Sequence, residues 1–336
     1  MSDRVRIGMI GLRGWGNALR AGIVQAGNLE LVVAASRTPE SIERVRKQWP
    51  DVEIVETFDD LLARDDIAGI VSNMPNHLHL EHILKAAESG VHLFVEKPVT
   101  NTIAEAKQAV EAVERSGIIC FVGHNDRMFP VSRKTREIIA SGRLGCIFAV
   151  EGNASHRGGL RPVDPKRIWR RQPENCPAVP LMQLGVHEID TVNYLLGERA
   201  ERVTAVHRSI RMERQDDVTS QIIEYPDGAL FTLNSYYITN GTHYLNVYGT
   251  EANLYTRRHE IRIRTADGDE VIDCTPQAGR GPTTDEMFEF GECIRTGKQP
   301  EVTVRVALDA LAPVEAAIIS SREGRTVEIS ELLGAI

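Results

Sequence analysis

Short apolar runs and helical segments alternate along the first third of the chain. The apolar runs have the length of buried strands and cover residues 4–10, 29–35, 53–55, 67–72, 91–95 and 118–123. Between them, apolar residues recur with helical spacing over residues 17–26, 41–48, 59–63, 79–89 and 102–116. Parallel strands are buried on both faces and need crossover helices. The alternation therefore predicts a doubly wound α/β domain with a parallel sheet over residues 1–123.

The pattern changes after Gly123, where we place the domain boundary. Helical spacing covers residues 130–141, 181–196, 284–295 and 306–321. Strand-like runs cover residues 146–151, 203–206, 219–224, 230–237, 245–247, 261–263 and 326–329. Turn signals such as Pro226-Asp227-Gly228 separate several of these strands, and hairpin-like spacing is typical of antiparallel sheets. Residues 124–336 are therefore predicted to form an α+β domain with a mostly antiparallel sheet, and packing of its C-terminal residues back on the first domain is the alternative.

Length, composition and charge limit the class of protein. With 336 residues, 42% of them apolar and 26% charged, the chain suffices for two globular domains. No apolar run approaches a membrane span and no signal-peptide pattern precedes the first strand, so we expect a cytoplasmic location. The net charge of -8 argues against nucleic-acid binding. The five cysteines show no CxxC or zinc-finger spacing, so reduced thiols and no metal site are expected.

A glycine-rich turn with the sequence GLRGWG, residues 11–16, joins the first strand to the first helix. In a dinucleotide-binding turn, the first glycine permits the bend, the second lets the backbone approach the pyrophosphate, and the third lets the helix pack on the strand. Arg13 occupies the middle position here, and a guanidinium beside a helix N-terminus could bind phosphate directly. The turn predicts a dinucleotide site, although a glycine-rich turn alone is weak evidence for one.

The end of the second strand bears on which dinucleotide binds. Ser36 and Arg37 follow the strand at residues 29–35. An acidic residue at this point normally binds the ribose 2′-hydroxyl of NAD, whereas a small polar residue followed by arginine accommodates the 2′-phosphate of NADP. Ser36 and Arg37 therefore favour NADP over NAD as the cofactor.

Polar residues also cluster where two later strands end. They are Asn73, Pro75, Asn76 and His79 after the strand at 67–72, and Glu96 and Lys97 after the strand at 91–95. Open α/β sheets bind ligands at the carboxyl ends of their strands, so these residues are candidates for a cofactor site. Pro98 disfavours helical geometry at Lys97, so we expect the lysine to point into a crevice. The alternative is an ordinary solvated lysine that closes a strand.

The second domain carries two further candidate segments. Residues 156–171 are rich in arginine and glycine without a period, and Trp169 with its neighbouring arginines favours an ordered, ligand-facing loop over a disordered one. Gln183, His187 and Asp190 fall at i, i+4 and i+7 of the predicted helix and share one face. Such a polar stripe either forms a buried, satisfied network or lines a cleft.

Taken together, these segments resemble the glucose-fructose oxidoreductase/inositol dehydrogenase/MocA (Gfo/Idh/MocA) family over essentially the whole chain. The motifs that carry the resemblance are residues 11–16, 73–76 and 96–98, Gly123-His124 with Arg127 and Pro130, Trp169-Arg170, Gly185-Val186-His187 with Asp190, and residues 315–325. The resemblance implies an N-terminal Rossmann domain and a C-terminal domain with a large open sheet that forms a homodimer or homotetramer. It also implies an NAD(P)-dependent enzyme that moves a hydride between nicotinamide C4 and a secondary alcohol or ketone of a sugar, polyol or sugar derivative.

The resemblance further implies roles for individual residues. Lys97 would lie beside the nicotinamide and bind the reacting oxygen, Glu96 would lie near the cofactor, and the Lys97–Pro98 peptide would be cis. Family enzymes pair this lysine with an Asp-x-x-x-His helix, and the matching residues here are Gln183 and His187. An amide does not titrate usefully, so we expect His187 and Lys97 to share the proton chemistry.

The remaining predicted contacts divide between cofactor and substrate. The expected cofactor-binding residues are Gly11, Arg13, Gly14, Trp15, Gly16, Ser36, Arg37, Asn73, Pro75, Asn76, His79, Glu96 and Lys97. The expected substrate-binding residues are Arg127, Trp169, Arg170, Gln183 and Asp190. The arginines at positions 157, 161, 167, 170 and 171 suggest an anionic substrate group, and a solvated basic loop is the alternative. An inositol, an aldose, a sugar acid and a nucleotide-linked sugar all fit these residues.

Two other functions stay open at this point. The first is a glycosidase that keeps its dinucleotide bound and acts through a transient oxidation of the sugar. The second is a non-catalytic regulator that binds a dinucleotide, and the presence of both Lys97 and His187 argues against it.

Overall fold

The computed structural model describes residues 4–162, 164–257, 259–276 and 281–334. The chain forms two compact units, the first from residues 4–100, 104–125 and 281–307, and the second from residues 101–103, 126–276 and 308–334. Segment 281–307 therefore groups with the N-terminal residues, whereas the sequence analysis placed it in the second domain with packing of C-terminal residues on the first domain as the alternative. The predicted ranges 1–123 and 124–336 otherwise stay predictions, and their outer ends lie outside the described residues. No helix in the described ranges has the length and apolar character that a membrane crossing requires.

The first unit contains the parallel sheet that the apolar pattern predicted. Its strands are β1 (Val5–Ile10), β2 (Leu29–Ala35), β3 (Glu53–Val55), β4 (Gly69–Ser72), β5 (His92–Glu96) and β6 (Cys120–Gly123). The helices along the same stretch are α1 (Gly16–Ala26), α2 (Pro39–Gln48), α3 (Phe58–Leu62), α4 (His79–Ser89) and α5 (Ile103–Ser116). The strand order is β3-β2-β1-β4-β5-β6 with every pair parallel. The order reverses between β1 and β4, and ligands bind at the carboxyl ends of strands beside such a reversal.

The second unit contains a large, mostly antiparallel sheet. Its strands are β7 (Ile147–Ser155), β8 (Arg202–Arg208), β9 (Val218–Glu224), β10 (Leu230–Tyr236), β11 (Thr242–Gly249), β12 (Asn253–Arg257), β13 (Glu260–Thr265), β14 (Gly268–Asp273) and β15 (Val327–Glu328). The later helices of the chain are α6 (Pro130–Ala140), α7 (Val186–Leu196), α8 (Pro282–Thr296), α9 (Val304–Glu323) and α10 (Ile329–Leu333). The order is β14-β13-β12-β11-β7-β10-β9-β8-β15, and only the β7–β10 pair among those described is parallel. Both parts of the predicted fold class are confirmed.

Helix α8 belongs to the first unit because it packs on α1. A Cβ atom on Gly22 of α1 would lie 2.8 Å from the carbonyl oxygen of Thr283, so the two helices touch through backbone. Thr284 Oγ1 donates to Gln25 Oε1 at 2.8 Å, and the Phe290 ring packs edge-on against Phe94 of β5. Contacts so far apart in sequence leave no periodic signal, which explains the different assignment made from the sequence.

Several local expectations need correction. The helix predicted over residues 181–196 begins as a π-helix at Leu181–Gly185 and continues as α7. The loop predicted over residues 156–171 includes 3-10 helical backbone at Gly158–Leu160 and at Pro165–Arg171, the second interrupted by a kink at Arg167. Strands β12 and β14 and helix α10 were not predicted. Strand β14 lies at a sheet edge and is largely exposed on both faces, so its sequence lacks the alternation that marks a half-buried strand.

The glycine-rich turn between β1 and α1 depends on two backbone approaches. Gly11 has φ +84°, and a Cβ atom there would lie 2.1 Å from the carbonyl oxygen of Asn73. A Cβ atom on Gly16 would lie 2.2 Å from the carbonyl oxygen of Gly11. Asn73 Nδ2 donates to the carbonyl oxygens of Gly11 and Arg13 at 2.8 and 3.1 Å. The first and third glycines thus permit the bend and the close helix start, as their positions in the motif predict.

We predict that Gly11→Ala destabilises the protein more than Gly27→Ala. Both glycines have positive φ, but a Cβ atom on Gly27 meets nothing within 4 Å. Gly27→Ala should therefore cost only the left-handed backbone penalty of about 1–2 kcal/mol. Gly11→Ala adds a clash with the backbone of Asn73, so its thermal midpoint should fall further and dinucleotide binding should weaken. Equal losses of midpoint in the two variants would contradict the steric argument.

Candidate functional site

The guanidinium of Arg13 reaches from the glycine-rich turn to the start of α2. Its Nε donates to Ser41 Oγ at 3.0 Å, and Nη2 forms an ion pair with the carboxylate of Glu40. Ser36 is half-buried and Arg37 is exposed in the connection that leads from β2 to α2. The structure therefore brings Arg13 to the first turn of α2, which follows Ser36 and Arg37 in the chain, and the ribose of a dinucleotide binds at the end of β2 in this fold. Gly14 and Trp15 are exposed in the turn itself.

The loop after β4 is fixed by a buried histidine. Asn76 is buried and Pro75 is half-buried in this loop. His79 Nδ1 lies 2.7 Å from the carbonyl oxygen of Pro98, and Nε2 lies 2.9 Å from that of Met74. Burial lowers the pKa of His79, and the two carbonyl contacts oppose that effect. The ring thus connects the loops that follow β4 and β5, which is a supporting role for a residue predicted to contact the cofactor.

Strand β5 ends in a buried carboxyl group followed by a half-buried lysine. Glu96 is 7% exposed, and the Lys97–Pro98 peptide is cis, as the family resemblance implied. Burial raises the pKa of Glu96 to about 7, and the charge of Lys97 and a hydrogen bond with the Trp15 side chain act in the opposite direction. In the described part of the chain, Oε1 of Glu96 has no hydrogen-bond partner. Buried polar atoms normally have a hydrogen-bond partner. A dinucleotide bound at the adjacent glycine-rich turn would supply one to Glu96 Oε1, so the residues present fit such a cofactor.

In the second unit, His187 is the second residue of α7. A Cβ atom on Gly185 would lie 2.9 Å from Ser235 Oγ of β10, so the start of the helix packs directly on the sheet. His187 is half-buried, with 16% of its side chain exposed, and its Nδ1 lies 3.9 Å from Oδ1 of Asp126. Asp126 belongs to the 3-10 helix Asn125–Met128 after β6. The fold therefore places a carboxylate beside the predicted acid–base histidine.

Two predicted substrate residues form a buried ion pair with each other. Arg127 Nε and Nη2 donate to the two carboxylate oxygens of Asp190 at 2.8 and 2.6 Å. The side chains are 6% and 1% exposed, and the guanidinium lies 5.1 Å from the centre of the Tyr194 ring. A bidentate pair of this kind holds both partners in one geometry. The pair joins the segment after β6 to α7.

The other predicted substrate residues lie at separate places in the same unit. Gln183 is half-buried in the π-helix, and its Nε2 donates to Cys176 Sγ at 3.6 Å. Trp169 and Arg170 are half-buried in the 3-10 helix Pro165–Arg171, with the guanidinium 5.1 Å from the centre of the indole. An amide, an indole and a guanidinium can all bind sugar hydroxyls or an anionic group.

Sequence analysis missed a cluster of charged groups around Asp126. His243 Nε2 lies 2.6 Å from Glu188 Oε1, and one donor atom each from Asp126, Glu188 and His243 fall within 4.8 Å of one another. Glu188, and to a lesser degree Asp126, raise the pKa of His243 to about 9. Because Glu188 and His243 bind each other, we interpret the cluster as an ion-pair network and assign no metal to it. Asp126 and Glu188 are the sequence neighbours of Arg127 and His187, which the motifs identified. His243 lies on β11, far away in the sequence, and no local pattern connects it with the cluster.

Comparison with known proteins identifies the family of both parts of the chain. Residues 5–124 match the family described as an oxidoreductase family NAD-binding Rossmann fold, and residues 136–329 match its C-terminal alpha/beta domain. The scyllo-inositol 2-dehydrogenase (NAD(+)) of Bacillus subtilis is 27% identical over 98% of this chain and 97% of its own. The D-xylose 1-dehydrogenase (NADP(+)) 2 of Haloferax volcanii is 26% identical over 96% of this chain and 99% of its own. A crystal structure of a Desulfitobacterium hafniense protein assigned to the NADPH-dependent oxidoreductases has a TM-score of 0.90 at 29% identity, covering 99% of this chain and 100% of its own.

The fold and the family matches define an NAD(P)-dependent oxidoreductase with a Rossmann unit and a second, sheet-based unit. The two matched segments together span most of the sequence. The chain belongs to the Gfo/Idh/MocA oxidoreductase family.

We predict that Glu96→Gln becomes progressively more stable than the wild type as the pH rises from 5 to 8. The folded pKa of Glu96 is raised from 4.5 to about 7, so between these pH values the unfolded state has released this proton while the folded state still holds it, and stability falls as the pH rises. The variant lacks this loss, and its advantage at pH 8 should be about 3 kcal/mol. Denaturant unfolding without cofactor measures it, with exposed Glu88→Gln as the control. Parallel stability curves for wild type and Glu96→Gln would contradict the buried-carboxyl assignment.

Proposed function

We propose that the protein transfers a hydride between nicotinamide C4 and a secondary alcohol or ketone of a sugar, polyol or sugar derivative. The observation that carries this proposal is the end of β5, where buried Glu96 and half-buried Lys97 follow each other beside the glycine-rich turn. The substrate class is supported by relatives that are named for scyllo-inositol and D-xylose. A bound nicotinamide supplies the hydride chemistry, and the protein supplies position, charge and proton transfer.

Lys97 and His187 have different tasks in this proposal. The ammonium group of Lys97 binds the reacting oxygen and stabilises the negative charge that develops on it. His187 takes the hydroxyl proton during oxidation and returns it during reduction. Gln183, Trp169 and Arg170 bind the other substrate groups. Arg127 and Asp190 hold the start of the second unit and α7 in place, since each is bound to the other.

For the cofactor, we propose a preference for NADP. Strand β2 is followed by Ser36 and Arg37 instead of an acidic residue, and the Arg13 guanidinium lies at the start of α2, close to this segment in the chain. Both guanidinium groups suit a 2′-phosphate, which arginine binds with charge-assisted hydrogen bonds. The relatives named above include one NAD(+) and one NADP(+) enzyme, so the family accepts either.

We also propose that the open face of the second sheet joins copies of the chain into a homodimer or homotetramer. Val206, Ile222 and Leu230 point to this face and are 52%, 45% and 42% exposed. The strand register aligns Ile222 with Thr204 and Thr232, so the three apolar side chains share one face of β8, β9 and β10. Exposed apolar side chains that share a face are a feature of protein–protein contacts.

The direct test is a panel of scyllo-inositol, D-xylose, other aldoses and sugar acids with NAD+ and NADP+. Formation of reduced nicotinamide, followed by its absorbance, is the expected outcome with at least one substrate. Product formation from a glycoside with unchanged nicotinamide absorbance would instead indicate chemistry through a transient oxidation.

We predict that Lys97→Ala lowers the turnover number by about 10²- to 10³-fold, because one charge-stabilising donor is lost from the reacting oxygen. Dinucleotide binding, measured by fluorescence titration, should stay detectable. Lys85→Ala serves as the control, since Lys85 is a partly exposed lysine of the same unit that pairs with Asp59 at 2.8 Å. Wild-type turnover in Lys97→Ala would overturn the proposed role of this lysine.

We predict that Arg37→Ala raises the dissociation constant for NADP+ by about tenfold and leaves that for NAD+ unchanged. A charged hydrogen bond to phosphate is worth about 1.5–3 kcal/mol, and NAD+ lacks the phosphate. Isothermal titration of both dinucleotides measures the two constants, with Arg46→Ala in α2 as the control. Tighter binding of NAD+ than of NADP+ by the wild type would contradict the proposed preference.

A further inference from the structure

The carboxylate beside His187 comes from a different element than the helix that carries the histidine. Asp126 Oδ1 lies 3.9 Å from His187 Nδ1, with 22% of the aspartate side chain exposed. We propose that Asp126 is the positioning carboxylate of His187, so that an Asp126–His187 pair carries out the proton transfer that Gln183 cannot support. This inference rests on the proposed function, because it assigns a partner to the acid–base residue of that reaction.

The backbone that carries Asp126 is held firmly against α7. The next residue, Arg127, makes the buried bidentate pair with Asp190. Ser132 Oγ donates to the carbonyl oxygen of Asp126 at 2.7 Å. Asp190 lies three residues after His187 on the same helix, so the Arg127–Asp190 ion pair and the histidine lie about one turn apart. This ion pair therefore restricts the distance between the Asp126 carboxylate and the His187 ring.

The acidic residues of α7 near His187 bind other side chains. Glu188 binds His243 Nε2 at 2.6 Å, and Asp190 receives both hydrogen bonds from Arg127. Asp126, Glu188 and His243 form one cluster, and its Asp126 carboxylate lies beside the His187 ring. Two carboxylates and one histidine cation give this cluster an excess of negative charge.

Proton transfer by His187 requires a negatively charged group near its Nδ1 atom. His187 is the seventh residue of the continuous helical segment that starts at Leu181, beyond the first turn to which the effect of a helix dipole is confined. A carboxylate at Nδ1 stabilises the imidazolium ion that forms, keeps the Nδ1 proton in place and leaves Nε2 as the base. During oxidation the hydride leaves the carbinol carbon for nicotinamide C4, the C–O bond becomes C=O, and the hydroxyl proton moves to Nε2. Hydrogen bonds between catalytic groups are often long in unliganded proteins and shorten with substrate bound.

Position 183 carries an amide that makes a structural contact of its own. The amide of Gln183 donates to Cys176 Sγ in the π-helix that precedes α7. An amide can orient a hydroxyl but cannot balance a positive imidazole. Asp126 supplies the negative charge from the segment after β6.

The test compares Asp126→Asn, Asp126→Glu and Asp216→Asn with the wild type. Asp216 is a matched control because its Oδ2 lies 3.3 Å from Nδ1 of His207, outside the proposed site. We expect kcat to fall about 10- to 100-fold in Asp126→Asn and to be unchanged in Asp216→Asn. The acidic limb of the kcat/KM profile for oxidation should shift to lower pH by about one unit in Asp126→Asn, because its positive imidazole is no longer stabilised. Asp126→Glu keeps the charge and should retain most of the wild-type limb.

A second measurement does not depend on turnover. The titration of the His187 ring proton, followed by NMR, should move to lower pH in Asp126→Asn at an unchanged thermal midpoint. If the asparagine variant does not fold, Asp126→Ser replaces it in both experiments. The role of Asp126 alone would be overturned if the neutral variants kept the wild-type acidic limb of the kcat/KM profile and the wild-type titration of the His187 ring proton, while His187→Asn lost activity. Wild-type activity in His187→Asn would instead overturn the proposed function.

Discussion

Parallel pairing of β1, β4 and β5 is the constraint on which the dinucleotide half of this protein depends. Because the strands run in one direction and in register, Ile10 lies beside Ser72 and Ser72 beside Val95. The next residues, Gly11, Asn73 and Glu96, therefore meet at one edge of the sheet. The glycine at position 11 then permits a backbone contact with Asn73 that any side chain would prevent. The residues that bind the dinucleotide in our proposal are neighbours for this reason.

Burial determines the charges at this edge. The carboxyl group of Glu96 keeps its proton to higher pH than an exposed glutamate because the sheet excludes water from it. His79, equally buried, connects the loop after β4 to Pro98 and so supports the lysine that precedes this proline. Glu96, Lys97 and the supporting His79 therefore depend on the loops that follow β4 and β5. A change in one of these two loops alters the position of the other.

In the second unit, ion pairs determine the arrangement of the charged groups around His187. The helical segment that begins at Leu181 packs on the sheet at Gly185 and carries His187 in its interior. Two ion pairs lie beside it, a buried one between Arg127 and Asp190 and another between buried Glu188 and exposed His243. Charges that are paired in this way are kept in position without free movement of long side chains. They allow the fold to hold several acidic groups near one histidine.

The sequence by itself determined the parallel sheet, the glycine-rich turn, the strand ends that carry Asn73 and Lys97, and the histidine on α7, because each leaves a local pattern of spacing or residue type. It did not determine the role of Arg127 and Asp190, the contact of Arg13 with Ser41, or the place of α8, because these depend on contacts between residues distant in the chain. A helical stripe suggested that Gln183, His187 and Asp190 act together, whereas the folded chain binds Asp190 to Arg127 and places Asp126 beside His187. Periodicity shows which face of an element a residue occupies, and only the packing of elements decides which charge it meets.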